Sequence, residues 1–258
     1  MFAHDRIPDF PVRNTIDVRY TGAMNNAVQA ITWQGLVLAS IPTIFVLLIM
    51  WRWAAGAGTA LYATARMLVQ LLLIGYVLVY IFEAGEASII MAVLGVMLLA
   101  ASWISIRPLA KKSQRIYGHA LLSIAVSGVL TLALVSQAVI GVEPWFSPRY
   151  LVPLAGMIFA GAMNTVSLAA ERAYAEAARG VSFPETRRIA LQASLIPMIN
   201  SLFAVGLVSL PGMMTGQILS GVSPLIAAKY QIVVMLMLFG VSGVSAAMFL
   251  QLERRQLQ

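Results

Sequence analysis

The chain has 258 residues, no cysteine and a formal charge of +7, with 60% hydrophobic and only 10% charged residues. Disulfides, thiolate metal ligands and cysteine nucleophiles are therefore excluded. No G-x-x-x-x-G-K-[ST] phosphate loop, H-E-x-x-H or G-x-S-x-G elbow occurs, so the chain carries no recognisable ATPase, metalloprotease or serine hydrolase.

The first 26 residues form a polar tail in which Arg6, Arg13 and Arg19 are matched by Asp5, Asp9 and Asp17. It has no apolar core or cleavage pattern of a signal peptide. An irregular segment is expected, with a short surface helix near Val18–Asn25. His4 and Asp5 read as a solvated pair rather than a metal grip.

Seven apolar runs come next: Ala27–Met50, Thr59–Phe82, Ala87–Ile106, Gly118–Gly141, Tyr150–Ala170, Gln192–Met214 and Leu225–Leu250. A spanning helix needs about 20 mainly apolar residues, because ~30 Å of hydrocarbon is crossed at ~1.5 Å per residue. The expected fold is all-α: a polytopic integral membrane protein with about seven transmembrane helices. Residues 27–251 form the transmembrane domain, with a polar loop at 171–190, and 252–258 form a C-terminal tail.

Orientation follows from charge. With the N-terminus outside and the C-terminus cytoplasmic, the gaps after runs one, three, five and seven collect 11 of the 17 Lys and Arg residues. Those gaps hold Arg52, then Arg107, Lys111, Lys112 and Arg115, then Arg172, Arg179, Arg187 and Arg188, and finally Arg254 and Arg255. The opposite gaps hold Glu83, Glu86, Glu143 and the single basic Arg149. This asymmetry obeys the positive-inside rule. It also accounts for the net charge by anionic lipid, so no nucleic-acid partner is expected.

Polar groups inside the runs are candidates for a translocation path. Arg66 lies a third of the way into run two, with Gln70 one turn on along the same face. A charge at depth costs a few kcal/mol unless it snorkels or pairs. Arg66 therefore admits two readings, snorkelling or helix bracing on one side and a role in the path or in gating on the other. His119 reads as an interfacial histidine at the start of run four. Asn164 and Asn200 read first as amides bonding across helices and second as substrate ligands. Gly156, Ala160 and Gly161, with Gly240 and Gly243, suit close helix packing.

Run six is interrupted. Pro211 should kink or end it, and Gly212 and Gly216 loosen the stretch beyond. Ser209, Pro211, Gly212, Met213, Met214 and Gly216 are thus candidates for a gate or substrate route, since broken helices at depth are tolerated only where protein or a wet cavity satisfies the backbone. Met213 and Met214 suit soft metals, but adjacent positions on a helix point in different directions, so ordinary apolar packing is the favoured reading.

The gap Glu171–Arg188 reads as helix, break, helix. Glu171–Arg179 are good helix formers, Gly180 supplies a stop, and Ser182 with Pro184 fits a cap and first turn. A docking element for a soluble partner and a solvated turn are both open at this point.

Several segments resemble one family of membrane proteins in the same order along the chain. These are Arg66 with Gln70-Leu71, Gly75-Tyr76-Val77-Leu78, Val152-Pro153-Leu154-Ala155-Gly156-Met157, Val205–Gly216, and Lys229-Tyr230-Gln231. The chain from about Ala27 to Leu250 resembles the FetB (YbbM) permeases. The resemblance implies an ABC transporter permease in the bacterial inner membrane, a homodimer driven by a separate ATPase. ATP and Mg would belong to that partner, and this chain would hold no cofactor. It further implies metal-ion export, iron among the cargoes, with aluminium tolerance in plant relatives. Glu176-Ala177-Ala178 with Gly180 resembles the EAA…G coupling motif, although only Arg179 separates Ala178 from Gly180, a tighter spacing than usual. The resemblance makes Tyr174, Glu176, Ala177, Ala178, Gly180, Arg187 and Arg188 the coupling-loop candidates. Without cysteine or an intramembrane carboxylate, no cage for a hard metal ion is legible. A stand-alone secondary transporter and a non-transport scaffold are the alternatives.

Overall fold

The computed structural model describes residues 31–84 and 86–258. The polar tail, its expected surface helix and the His4–Asp5 pair lie outside the described residues. Among the described residues eight α-helices occur in order: α1 Trp33–Arg52, α2 Ala57–Ala84, α3 Ala87–Ser105, α4 Gln114–Ala133, α5 Pro148–Ala177, α6 Phe183–Ala204, α7 Gly212–Leu219 and α8 Pro224–Leu252. A π-helical stretch, Leu134–Ile140, prolongs α4, and a 3₁₀ turn, Glu253–Arg255, prolongs α8.

The helix starts are chemically specified. Thr32 caps α1 by accepting from the Gly35 N–H at 3.2 Å, and Ser113 caps α4 by accepting from the Ile116 N–H at 3.2 Å. Gly141 ends the π-helical stretch at φ +70°. Buried hydroxyls along α4 are satisfied within the helix. Ser123 donates to the His119 carbonyl at 2.7 Å and Ser127 to the Ser123 carbonyl at 2.6 Å. This back-bonding lets polar side chains lie in an apolar interior without an unmet donor.

Six helices among the described residues are long and apolar enough to cross a membrane: α1, α2, α3, α4 with its π-helical extension, α5 and α8. The chain is an all-α, multi-pass membrane protein. Run six, expected to be interrupted at Pro211, is not among those six helices. Its helix starts earlier, at Phe183, runs through Pro197 and ends at Ala204. The first third carries Glu185, Arg187 and Arg188, and the mainly apolar remainder, Leu191–Ala204, rises only about 20 Å against a ~30 Å core. The break also falls before Pro211. Val205 is extended, Gly206 takes φ +82°, and the N–H groups of Leu207, Val208 and Ser209 turn back onto the Ala204 carbonyl.

The chain divides into two compact units. One contains α1, the first turns of α2 and the segment Gly212–Ala227 with α7. Its α1 has no buried residue. The other contains Ala65–Pro211 and Ala228–Gln258. At its centre is α5, which packs against α3, α4 and α6. The buried residues of α5 recur every three or four positions, from Leu151, Leu154, Ala155 and Ile158 to Thr165, Val166, Ala169, Ala170 and Ala173. That spacing forms a continuous stripe on a 3.6-residue helix.

Of the small residues expected to bring helices together, Gly161 does so, because a Cβ there would stand 3.2 Å from Leu238 of α8. Ala160 is exposed, and Gly240 and Gly243 face open space. The tightest approach is at Gly128, where a Cβ would lie 2.8 Å from the Phe159 ring.

Candidate functional site

The polar loop after run five is an elbow joining two long helices rather than a separate small element. Its helical first part, Glu171–Ala177, is the last turns of α5. Backbone bonds from Arg179 to the Glu176 carbonyl and from Gly180 to the Ala177 carbonyl close the helix. Gly180 sits at φ +78°, where residues with a Cβ are strained. Ser182 then occupies the cap position of α6, with Pro184 in the first turn. Thr186 donates to the Val181 carbonyl at 3.1 Å and pins the turn to the new helix.

Charge braces the elbow from within. Glu176 is 4% exposed and is held by Arg172 at 2.7 Å and Arg179 at 3.3 Å. Its carboxylate is thus committed inside the chain. Ala178, Arg179, Gly180, Ser182, Pro184, Arg187 and Arg188 are exposed, while Ala177 is half-buried. Phe183 is buried between Arg187 and Arg254, whose guanidinium carbons lie 5.7 and 5.6 Å from the ring centre. Arg187 also donates to the side-chain amide oxygen of Gln251 at 3.4 Å. Arg188 pairs with Glu185 through bonds of 2.6 and 2.9 Å. Those bonds hold the Glu185 carboxyl below its ordinary range and raise the Arg188 guanidinium.

Two clefts flank the elbow. One, of about 730 Å³, is lined by Tyr174, the stretch Ala177–Pro184 apart from Arg179, Lys111 and the segment Gln256–Gln258. The other, of about 640 Å³, is lined by Arg187, Arg188 and Gln251 among others. The coupling-loop candidates Tyr174, Ala177, Ala178 and Gly180 thus share one cleft, and Arg187 and Arg188 share the second.

The path candidates are not gathered in this way. Arg66 and Gln70 on α2, Asn164 on α5 and Asn200 on α6 are exposed, and none makes a side-chain hydrogen bond to another helix among the described residues. Neither cleft is lined by them, nor is the apolar cavity of about 290 Å³ enclosed by α3, α4 and α5. Ser209 and Pro211 lie in the break after α6, and Gly212, Met213, Met214 and Gly216 lie in α7. The chain passes from one compact unit to the other at Pro211–Gly212. No group of three or more His, Asp or Glu side chains stands together among the described residues.

Two features escaped sequence reasoning. Gln231 of α8 is 6% exposed, and its side-chain amide oxygen has no partner among the described residues. The only sequence signal was its place in the Lys229-Tyr230-Gln231 segment. His119 meets Glu253 at 2.5 Å, and Tyr174 donates to the other Glu253 oxygen at 2.6 Å. Residues so far apart along the chain leave no local signal.

Together, the six spanning helices, the broken sixth run and the charged elbow define an all-helical multi-pass membrane protein. Residues 33–258 match the family described as an uncharacterised protein family, UPF0014, and the chain belongs to that family. It is 35% identical to the UPF0014 membrane protein slr1647 of Synechocystis sp., over 84% of this chain and 83% of the relative. It is 31% identical to the probable iron export permease protein FetB of Escherichia coli, over 88% of this chain and 92% of the relative. It is 34% identical to the protein ALUMINUM SENSITIVE 3 of Arabidopsis thaliana, over 73% of each chain. No solved structure matches the chain.

Proposed function

We propose that this chain is the membrane-spanning permease subunit of an ABC transporter, driven by a separate ATPase and exporting metal ions such as iron. The observation that carries the reading is the elbow. Ala178, Gly180, Ser182, Pro184, Arg187 and Arg188 project from the joint between two packed helices, where a soluble partner can push or pull on both at once. The cargo is suggested by the name of the Escherichia coli relative, a probable iron export permease.

In this reading the elbow faces the cytoplasm of a bacterial inner membrane and the N-terminus lies outside, the orientation favoured by the basic residues. Two copies of the chain bind two copies of the ATPase, and ATP with Mg belongs to the partner. Closure of the ATPases moves the elbow, and the packed α5–α6 pair transmits the motion as a rigid body. Arg66, Gln70, Asn164 and Asn200, exposed on the single chain, would line the path between two copies. The break at Ser209–Gly216 would serve as its gate.

The test is the ATPase rate of the partner subunit in liposomes, with and without this chain, across added metal ions. Stimulation by the intact chain that is lost on charge reversal at Arg187 and Arg188 supports the permease reading, and the stimulating ion indicates the cargo. Gradient-driven flux without any ATPase would replace it with a secondary transporter. Partner binding with no solute flux would replace it with a scaffold.

A further inference from the structure

Glu253 has no exposed surface, although it lies in a segment rich in arginine. Both of its carboxylate oxygens are occupied. One faces Nδ1 of His119 at the start of α4, and the other accepts the hydroxyl of Tyr174 near the end of α5. A carboxylate only accepts, so Nδ1 is the protonated nitrogen of the His119 ring. The two partners lie 134 and 79 residues from Glu253 in sequence, so this one side chain ties α4, α5 and the segment after α8 together.

The segment so tied is built into the elbow. Leu257 is 3% exposed and packs in a cluster with Ala169, Ala173, Phe183, Ala190 and Leu250. Arg254 covers the Phe183 ring. Gln256, Leu257 and Gln258 line the same ≈730 Å³ cleft as Ala177–Pro184. Burying a carboxylate is costly even when it is hydrogen-bonded, and a whole buried polar set replaced by packed apolar side chains is often equally or more stable. The bonded carboxylate adds direction, because two charge-assisted bonds fix where the segment lies.

We propose that Glu253 is a positioning residue of the coupling elbow. It clamps residues 253–258 onto α4 and α5, so that this segment and the elbow form one docking surface for the partner ATPase. The docking role rests on the permease reading above, whereas the clamp itself does not. The exposed cations around this surface, Lys111, Arg179, Arg187 and Arg254, call for a partner with an acidic face.

Glu253→Leu removes both bonds at similar volume, while Glu253→Gln keeps them. The glutamine oxygen accepts from Tyr174, and its amide donates to the other tautomer of His119. In liposomes with the partner ATPase, Glu253→Leu should lose about tenfold or more of the stimulation, the equivalent of one charge-assisted bond. Glu253→Gln should stay within about twofold of the parent. The absence of native cysteine allows a second readout, thiol labelling of a Leu257→Cys chain. The label should be blocked when Glu253 is intact or carries Glu253→Gln, and admitted when Glu253→Leu is added. Should Glu253→Leu fail to fold, Tyr174→Phe, which deletes one hydroxyl, should show the same directions at smaller size.

Full stimulation by Glu253→Leu overturns the docking role, and an unchanged labelling rate overturns the clamp. Stimulation that depends on anionic lipid and not on the acidic partner face overturns the assignment of the partner. If the parent chain itself stimulates nothing, the permease reading fails, and the labelling result alone decides the clamp.

Discussion

Single side chains set tolerances that are measurable one at a time. A methyl group added at Gly128 would sit 2.8 Å from the Phe159 ring, and Phe159 is itself buried. Gly128→Ala should therefore destabilise the chain by roughly 1–3 kcal/mol, as overpacking does, read as a lower unfolding temperature in detergent. At the elbow, Glu185 has its carboxyl held below the ordinary range by hydrogen bonds from Arg188. A depressed folded value contributes stability above the unfolded value and loses it as pH falls through the folded one. The difference in unfolding midpoint between the parent and Glu185→Gln should thus be constant from neutral to mildly acidic pH. It should vanish only in acid below the usual glutamate range. Neither Gly128 nor the direction of the Arg188 fork was legible beforehand, because both depend on what another turn or helix brings alongside.

Elements carry the next level of argument. The elbow depends on Gly180 at φ +78°, so Gly180→Ala should cost roughly 1–2 kcal/mol of local strain. Its expected signature is faster proteolysis between α5 and α6 with the rest of the chain intact. Charge reversal at both Arg187 and Arg188 removes the Arg187 contact to the Phe183 ring and the Arg188–Glu185 pair, but leaves the buried Glu176 brace in place, since that rests on Arg172 and Arg179. That variant should insert normally and lose most of the ATPase stimulation, as measured in liposomes. Deleting Glu176–Pro184 is a harsher probe, because Glu176 and Phe183 are buried. The stop at Gly180 and the start around Ser182–Pro184 were legible, since glycine and proline act through their own backbones. Legible too was an interruption of run six, but not its position. The helix ends at Ala204, where Gly206 lets the chain turn, rather than at Pro211.

At the scale of the whole molecule, the charge asymmetry yields a topology that the absence of cysteine makes simple to test. Single cysteines at Glu143 and Lys112 should label from opposite sides, Glu143→Cys from outside intact cells and Lys112→Cys only after permeabilisation. The reverse pattern would invert the orientation and place the elbow outside, where no ATPase could reach it. Family membership covers residues 33–258, and with them all six spanning helices of the described residues, so the architecture is common to chains with differently named roles.

The sequence by itself determined the fold class, the approximate limits of the long helices and the presence of a charged elbow. These follow from hydrophobic length, periodicity and backbone chemistry, which are local properties of the chain. Tertiary structure alone decided that Glu176 is an internal brace, that Arg66, Gln70, Asn164 and Asn200 face outward, and that His119 and Tyr174 hold Glu253. The reason is physical. A side chain's partner is fixed by which helices pack together, and packing brings together residues that no local pattern connects.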